Sequence, residues 1–151
     1  MATEVITTIS PSTNQPILTR SGLSCSDVAL LPAIAAQAFN DYRLTSLRER
    51  QAIVGKALQL INDRQNVLAR ELTEQMGRPI AYTGKEITTA VTRGEYLLKI
   101  SENAMMDTQG EYEHGFKRFI RKAPIGPVLI LFAWNVGCDG SMFNVLDADM
   151  V

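Results

Sequence analysis

The stretch that decides the fold is "APIGPVLILFAWN", residues 123–135. Its middle, from Val128 to Trp134, is an unbroken apolar run rich in β-branched and aromatic residues. A strand with one wet face alternates apolar and polar side chains, whereas a strand covered on both faces does not. The run therefore predicts a buried strand of a parallel sheet, from Val128 to Ala133, closed by a Trp134–Asn135 pair. Such a sheet presents functional groups at the carboxyl ends of its strands.

Upstream, "TEVITTIS" is β-branched and stops at the Pro/Asn/Ser turn signal "PSTNQP", after which "ILTR" resumes an extended pattern. These segments predict a β-hairpin. "SGLSCS" breaks the chain, and three helical patterns follow. The first runs from about Asp27 to Tyr42, with Val28, Leu31, Ala35, Ala38, Phe39 and Tyr42 at helical spacing. The second opens at Ser46, which with Glu49 has the spacing of a reciprocal cap, and closes at Gly77. Val54, Leu58, Ile61, Leu68, Leu72 and Met76 form its apolar stripe. Arg48, Glu49, Arg50, Asp63, Arg64 and Arg70 are expected to solvate its other side. The third follows Pro79 and reaches about Met105, with Ile80, Ile87, Val91 and Leu98 on one face. "GEYEHGFKRFIRKA", residues 110–123, then alternates with both faces partly polar. It predicts a wet strand or hairpin arm of the kind that reaches toward a partner.

Composition narrows the function classes. A chain of 151 residues is long enough for one domain with a core of its own. A formal net charge of −1 leaves no footprint for nucleic acid or an anionic membrane, although "FKRFIRK" places four basic residues beside two aromatics. The longest apolar run is far short of the ~20 residues a membrane helix needs. Met1–Ser10 lacks the features of a signal or transit peptide, so the cytosol is the expected location. Cys25 and Cys138 form no metal-ligand or redox pattern, His114 has no ligand-type partner, and no metal is expected. Glu71, Glu74 and Glu86 are expected on solvated helix faces. No glycine spacing of a phosphate cradle occurs around "LFAWN".

Taken in order, "SPSTNQPI", the capped helix "SLRERQAIVGKALQLINDRQNVLARELTEQMGRPI", "EITTAVTRGEYLLKI" and "RKAPIGPVLILFAWN" resemble the N-terminal part of the aldehyde dehydrogenase superfamily. The resemblance is nearest to fungal-type members and covers about Ile9 to Asn135. It implies an α/β fold of a β-hairpin, three amphipathic helices, an oligomerisation-type strand and the first strand of a Rossmann-like nucleotide-binding sheet. It also implies an oxidoreductase that converts aldehydes to carboxylic acids, or in some branches to thioesters, with NAD or NADP. By resemblance, Phe132, Ala133 and Trp134 face the nicotinamide half of the cofactor, and Asn135 holds the oxyanion-hole position. Members usually carry proline where Ala133 stands here.

After Asn135 the likeness fades. The resemblance divides the chain into a partial cofactor-domain region, residues 1–135, and a divergent tail without regular structure, residues 136–151. We expect the tail to reflect intron read-through or a shifted frame. The family's cofactor-phosphate lysine, general-base glutamate and nucleophilic cysteine have no counterpart in the chain. Cys138 stands beside Asp139, whose carboxylate disfavours a thiolate. The expected result is a chain that is inactive alone and does not hold the cofactor by itself. The competing expectation is a non-enzymatic chain that docks on full-length homologous subunits.

Overall fold

The computed structural model describes residues 5–131, and Phe132, Ala133, Trp134 and Asn135 lie outside them. The chain opens with strands β1 (Val5–Ile9) and β2 (Pro16–Ser21), paired antiparallel from Val5↔Ser21 to Ile9↔Pro16, with a register shift between Thr8 and Ile9. Asn14 closes the turn at φ 55°, a left-handed conformation that asparagine tolerates, and its N–H donates to Ser10 O at 2.8 Å. Ser10 is buried, and the ring of Pro11 lies against Gly77 so closely that a Cβ on Gly77 would sit 2.9 Å from Pro11 Cγ. A glycine at that point serves two needs, because its φ of 71° also ends a helix.

Helix α1 (Cys25–Tyr42) starts at a reciprocal cap in which Ser24 and Asp27 satisfy each other's backbone N–H groups. The sequence reading places this start two residues later. Helix α2 (Leu47–Asp63) begins at the expected Ser46–Glu49 cap. The expected single helix up to Gly77 is in fact two, because the chain tightens at Arg64 and restarts as α3 (Gln65–Met76). The Arg64 N–H reaches both Leu60 O and Ile61 O at 3.2 Å, a mixture of four- and three-residue bonding. Asn62 and Asp63 precede the break, and short polar side chains of this type compete with the helix for backbone groups. Gln65 fixes the restart by donating to Gly84 O at 3.0 Å and Thr88 Oγ1 at 2.8 Å.

Helix α4 (Ile80–Met105) packs against both α2 and α3. Val54 and Leu58 form the centre, with Leu97 and Leu98 against them, and Ala69, Ile87, Ala90 and Val91 are buried along the same layer. The weak helix formers of α4 are held locally, since Thr88 Oγ1 donates to Gly84 O at 3.1 Å and Thr89 Oγ1 to Lys85 O at 2.9 Å. Gln51 on α2 donates to Ser101 Oγ on α4 at 2.8 Å and ties the far end of the pair.

The wet arm folds back on itself. Strands β3 (Thr108–Gln109) and β4 (Phe119–Ile120) pair antiparallel around a turn at Glu113–Phe116, where Gly115 adopts φ 84°. Every residue from 111 to 123 is exposed, as the alternation implies. Of the expected buried strand Val128–Ala133, only Val128–Leu131 are described, and there the structure differs. Residues 121–131 have no regular structure, and Ile125, Leu129 and Leu131 are 98%, 84% and 85% exposed. A strand needs a neighbour to take its N–H and C=O groups, and among the described residues none lies beside Val128–Leu131.

Candidate functional site

The residues carried by the resemblance, Phe132 to Asn135, fall beyond the described part, so what can be built is the approach to them. The approach begins at the end of α4. Asp107 receives two bonds from Arg121, at 3.0 Å from Nε and 2.7 Å from Nη2. This fork-to-carboxylate pairing fixes direction as well as distance. It holds the Asp107 carboxyl below, and the Arg121 guanidinium above, their ordinary values. Lys122 Nζ donates to Ala104 O in the last turn of α4, where a cation also meets the negative end of the helix dipole. Arg118 pairs with Glu113 across the arm, and the Arg121 guanidinium lies 4.9 Å from the centre of the Phe119 ring. The basic residues of "FKRFIRK" are thus largely spent on intramolecular contacts.

Beyond this clamp, Pro124–Val128 form one wall of a cleft of about 820 Å³. The other walls come from Ala35, Ala38, Phe39 and Tyr42 of α1, from Asp41, Arg43 and Thr45, and from Arg50. Arg50 corrects the sequence reading, for it is only 7% exposed and its Nε has no hydrogen-bond partner. The signal was available: Arg50, Val54 and Leu58 are spaced four apart and share a helix face. Counting Arg50 with the charged set overrode that register.

Other candidates resolve simply. His114 is exposed, and no group of three His, Cys, Asp or Glu side chains able to hold a metal exists among the described residues. Cys25 is a free, exposed thiol, and Cys138 lies outside the described residues. Glu71 and Glu74 are exposed as expected, whereas Glu86 is half-buried and pairs with Arg78 at 2.7 Å. Among the described residues no helix is long and apolar enough to cross a membrane.

Comparison with known proteins places this geometry. The sequence model of the aldehyde dehydrogenase family matches residues 1–148. A glutarate-semialdehyde dehydrogenase of Pseudomonas putida is 24% identical over 132 residues, 87% of this chain and 28% of its own length. A succinate-semialdehyde dehydrogenase of Paenarthrobacter nicotinovorans is 32% identical over 111 residues, 71% of this chain and 23% of its own length. The crystal structure of an NADP-dependent glyceraldehyde-3-phosphate dehydrogenase from Bacillus halodurans, complexed with NADP, superimposes with a TM-score of 0.86 at 14% identity. That match covers 97% of this chain and 32% of the other, and it establishes the shared fold. The chain therefore spans less than a third of the length of each of these relatives.

Proposed function

Because the chain belongs to the aldehyde dehydrogenase family, we propose that it is the N-terminal portion of a cytosolic NAD(P)-dependent oxidoreductase converting aldehydes to carboxylic acids. The observation that carries this reading is the family match over residues 1–148, joined to the apolar run that ends in Trp134–Asn135. In the proposed reaction the Asn135 carboxamide donates an N–H to the aldehyde oxygen as it gains negative charge under attack by a thiolate. A preorganised neutral donor of this kind is worth roughly 3 kcal/mol to the transition state. The cofactor, when bound, accepts hydride. Phe132, Ala133 and Trp134 would give its nicotinamide half one wall.

The rest of a dinucleotide site does not fit the described residues. Their strands are two separate antiparallel pairs, so they offer no crevice at the carboxyl edge of a parallel sheet, and hydride transfer is assigned to none of them. Residues 1–151 alone are accordingly assigned no turnover. Purified residues 1–151, given NAD or NADP and a panel of aldehydes, should produce no reduced nicotinamide. A polypeptide in which residues 1–135 continue directly into family-type coding sequence found downstream of the Asn135 codon should do so, and Asn135→Ala should slow it about a hundredfold or more. Turnover by residues 1–151 would overturn the proposal, as would downstream genomic sequence with no family features after the Asn135 codon.

A second reading is favoured by the exposed apolar side chains of Ile125, Val128, Leu129 and Leu131 next to the aromatic arm. These could add to a complete homologous subunit and modulate its assembly. Co-migration of the chain with a full-length relative on size exclusion supports this reading, and separate elution removes it.

A further inference from the structure

The cleft between α1 and Pro124–Val128 is mostly apolar, yet Arg50 lines it, a residue only 7% exposed whose Nε is buried without a hydrogen-bond partner. Arginine keeps its charge at any working pH. A buried cation without a counter-charge is costly, and the cost falls when an anion meets it. No described carboxylate does so: Asp41 lines the cleft but makes no ion pair with Arg50. The remaining polar groups are committed or peripheral. Thr45 Oγ1 donates to Tyr42 O at 2.7 Å, and Arg43 lies over the Phe39 ring at 5.8 Å. What is left is an apolar chamber, within the size range of small-molecule sites, with one fixed cation inside it.

We propose that this cleft binds a free monocarboxylate with an apolar tail. The carboxylate pairs with the Arg50 guanidinium, and the tail lies along Ala35, Ala38, Phe39 and Ile125. The proposal uses none of the residues 132–135 and does not depend on turnover of an aldehyde.

Octanoate is a suitable probe, with octanol and inorganic phosphate as controls, titrated calorimetrically into residues 1–151 at neutral pH. One octanoate should bind per chain, and octanol and phosphate each at least about tenfold more weakly, since a hydrogen bond to a charged group and apolar burial each contribute that much. Arg50→Met should reduce octanoate affinity by about tenfold or more while the helical circular dichroism and its melt persist. Arg50→Lys should retain part of the affinity. Ile125→Glu, at a fully exposed position that does not hold the fold, should weaken both octanoate and octanol, and octanoate more because the new carboxylate also repels its head group. Equal binding of octanoate and octanol would overturn the proposal, as would undiminished binding by a folded Arg50→Met chain. Tighter binding of a carboxylate-bearing peptide such as acetyl-Leu-Phe-Asp-amide than of octanoate would overturn the assignment to a free acid.

Discussion

The α2–α4 layer and α1 are built from similar apolar residues, yet they end in opposite conditions. Val54, Leu58, Ile87 and Ala90 are almost fully removed from water, whereas α1 has no buried residue although Val28, Leu30, Leu31 and Ile34 line it. Residues 125–131 behave like α1. The difference lies in what stands opposite. Helix α4 offers α2 and α3 a face of matching length, and within the described residues nothing offers α1 or Val128–Leu131 the same. Hydrophobicity drives burial only where a second apolar surface is present to exclude water.

The largest effect that can break this contrast is a truncation in the paired layer. Leu58→Ala should cost about 3 kcal/mol, because a buried leucine leaves a cavity as well as losing its transfer energy. Leu30→Ala in α1 should change stability by less than about 0.5 kcal/mol, as exposed substitutions do. Thermal and urea melts followed by circular dichroism measure both. Equal losses would show that α1 is packed as tightly as α2.

The caps give a smaller and more diagnostic test. Ser46→Ala and Ser24→Ala each remove a side chain that accepts from a backbone N–H at the third helical position, worth about 1 kcal/mol. In α2 that loss is shared with the packed layer and should lower the midpoint of the melt. Helix α1 also carries Pro32 in its interior, which deletes one backbone bond. Its loss should therefore appear as reduced helical signal at low temperature, with the midpoint unmoved. Amide exchange at residues 25–30 against residues 47–52 separates the two outcomes.

What could be read in advance follows the same division. The hairpin, the Ser46 start and the Gly77 stop are written in side chains that act on their own neighbours, so the sequence contains them. The break at Arg64 was hidden because the apolar stripe runs straight through it, although Asn62 and Asp63 just before it weaken the helix locally. Arg50 was misplaced because residue type was weighed above its four-residue register with Val54. The run Val128–Leu131 has a strand's composition without a strand's partner, and pairing is a property of two segments. Phe132 to Asn135 are assigned through resemblance alone, as no spacing of chemistry-bearing residues marks them, and they lie outside the described residues.

The smallest effect sharpens the comparison through pH. Asp27 and Glu49 occupy the same capping position in α1 and α2, and each is held below its ordinary value, first by the side-chain hydrogen bond from Ser24 or Ser46 and then by the backbone one. A carboxylate whose value falls on folding stabilises the folded state fully above its unfolded value. That contribution fades as pH drops through the folded one. For Glu49 the loss begins below its ordinary 4.5 and for Asp27 below 3.8, so acid should weaken the start of α2 before that of α1. Both carboxylates are solvent-exposed, so salt screens them and the effect is modest. Residue-resolved carboxyl titration by NMR tests the order, and Glu49→Gln should flatten the α2 response while leaving that of α1 in place. If both helix starts frayed together in the Glu49→Gln chain, α1 would be coupled to the packed layer after all, and the division between the two regions would fall.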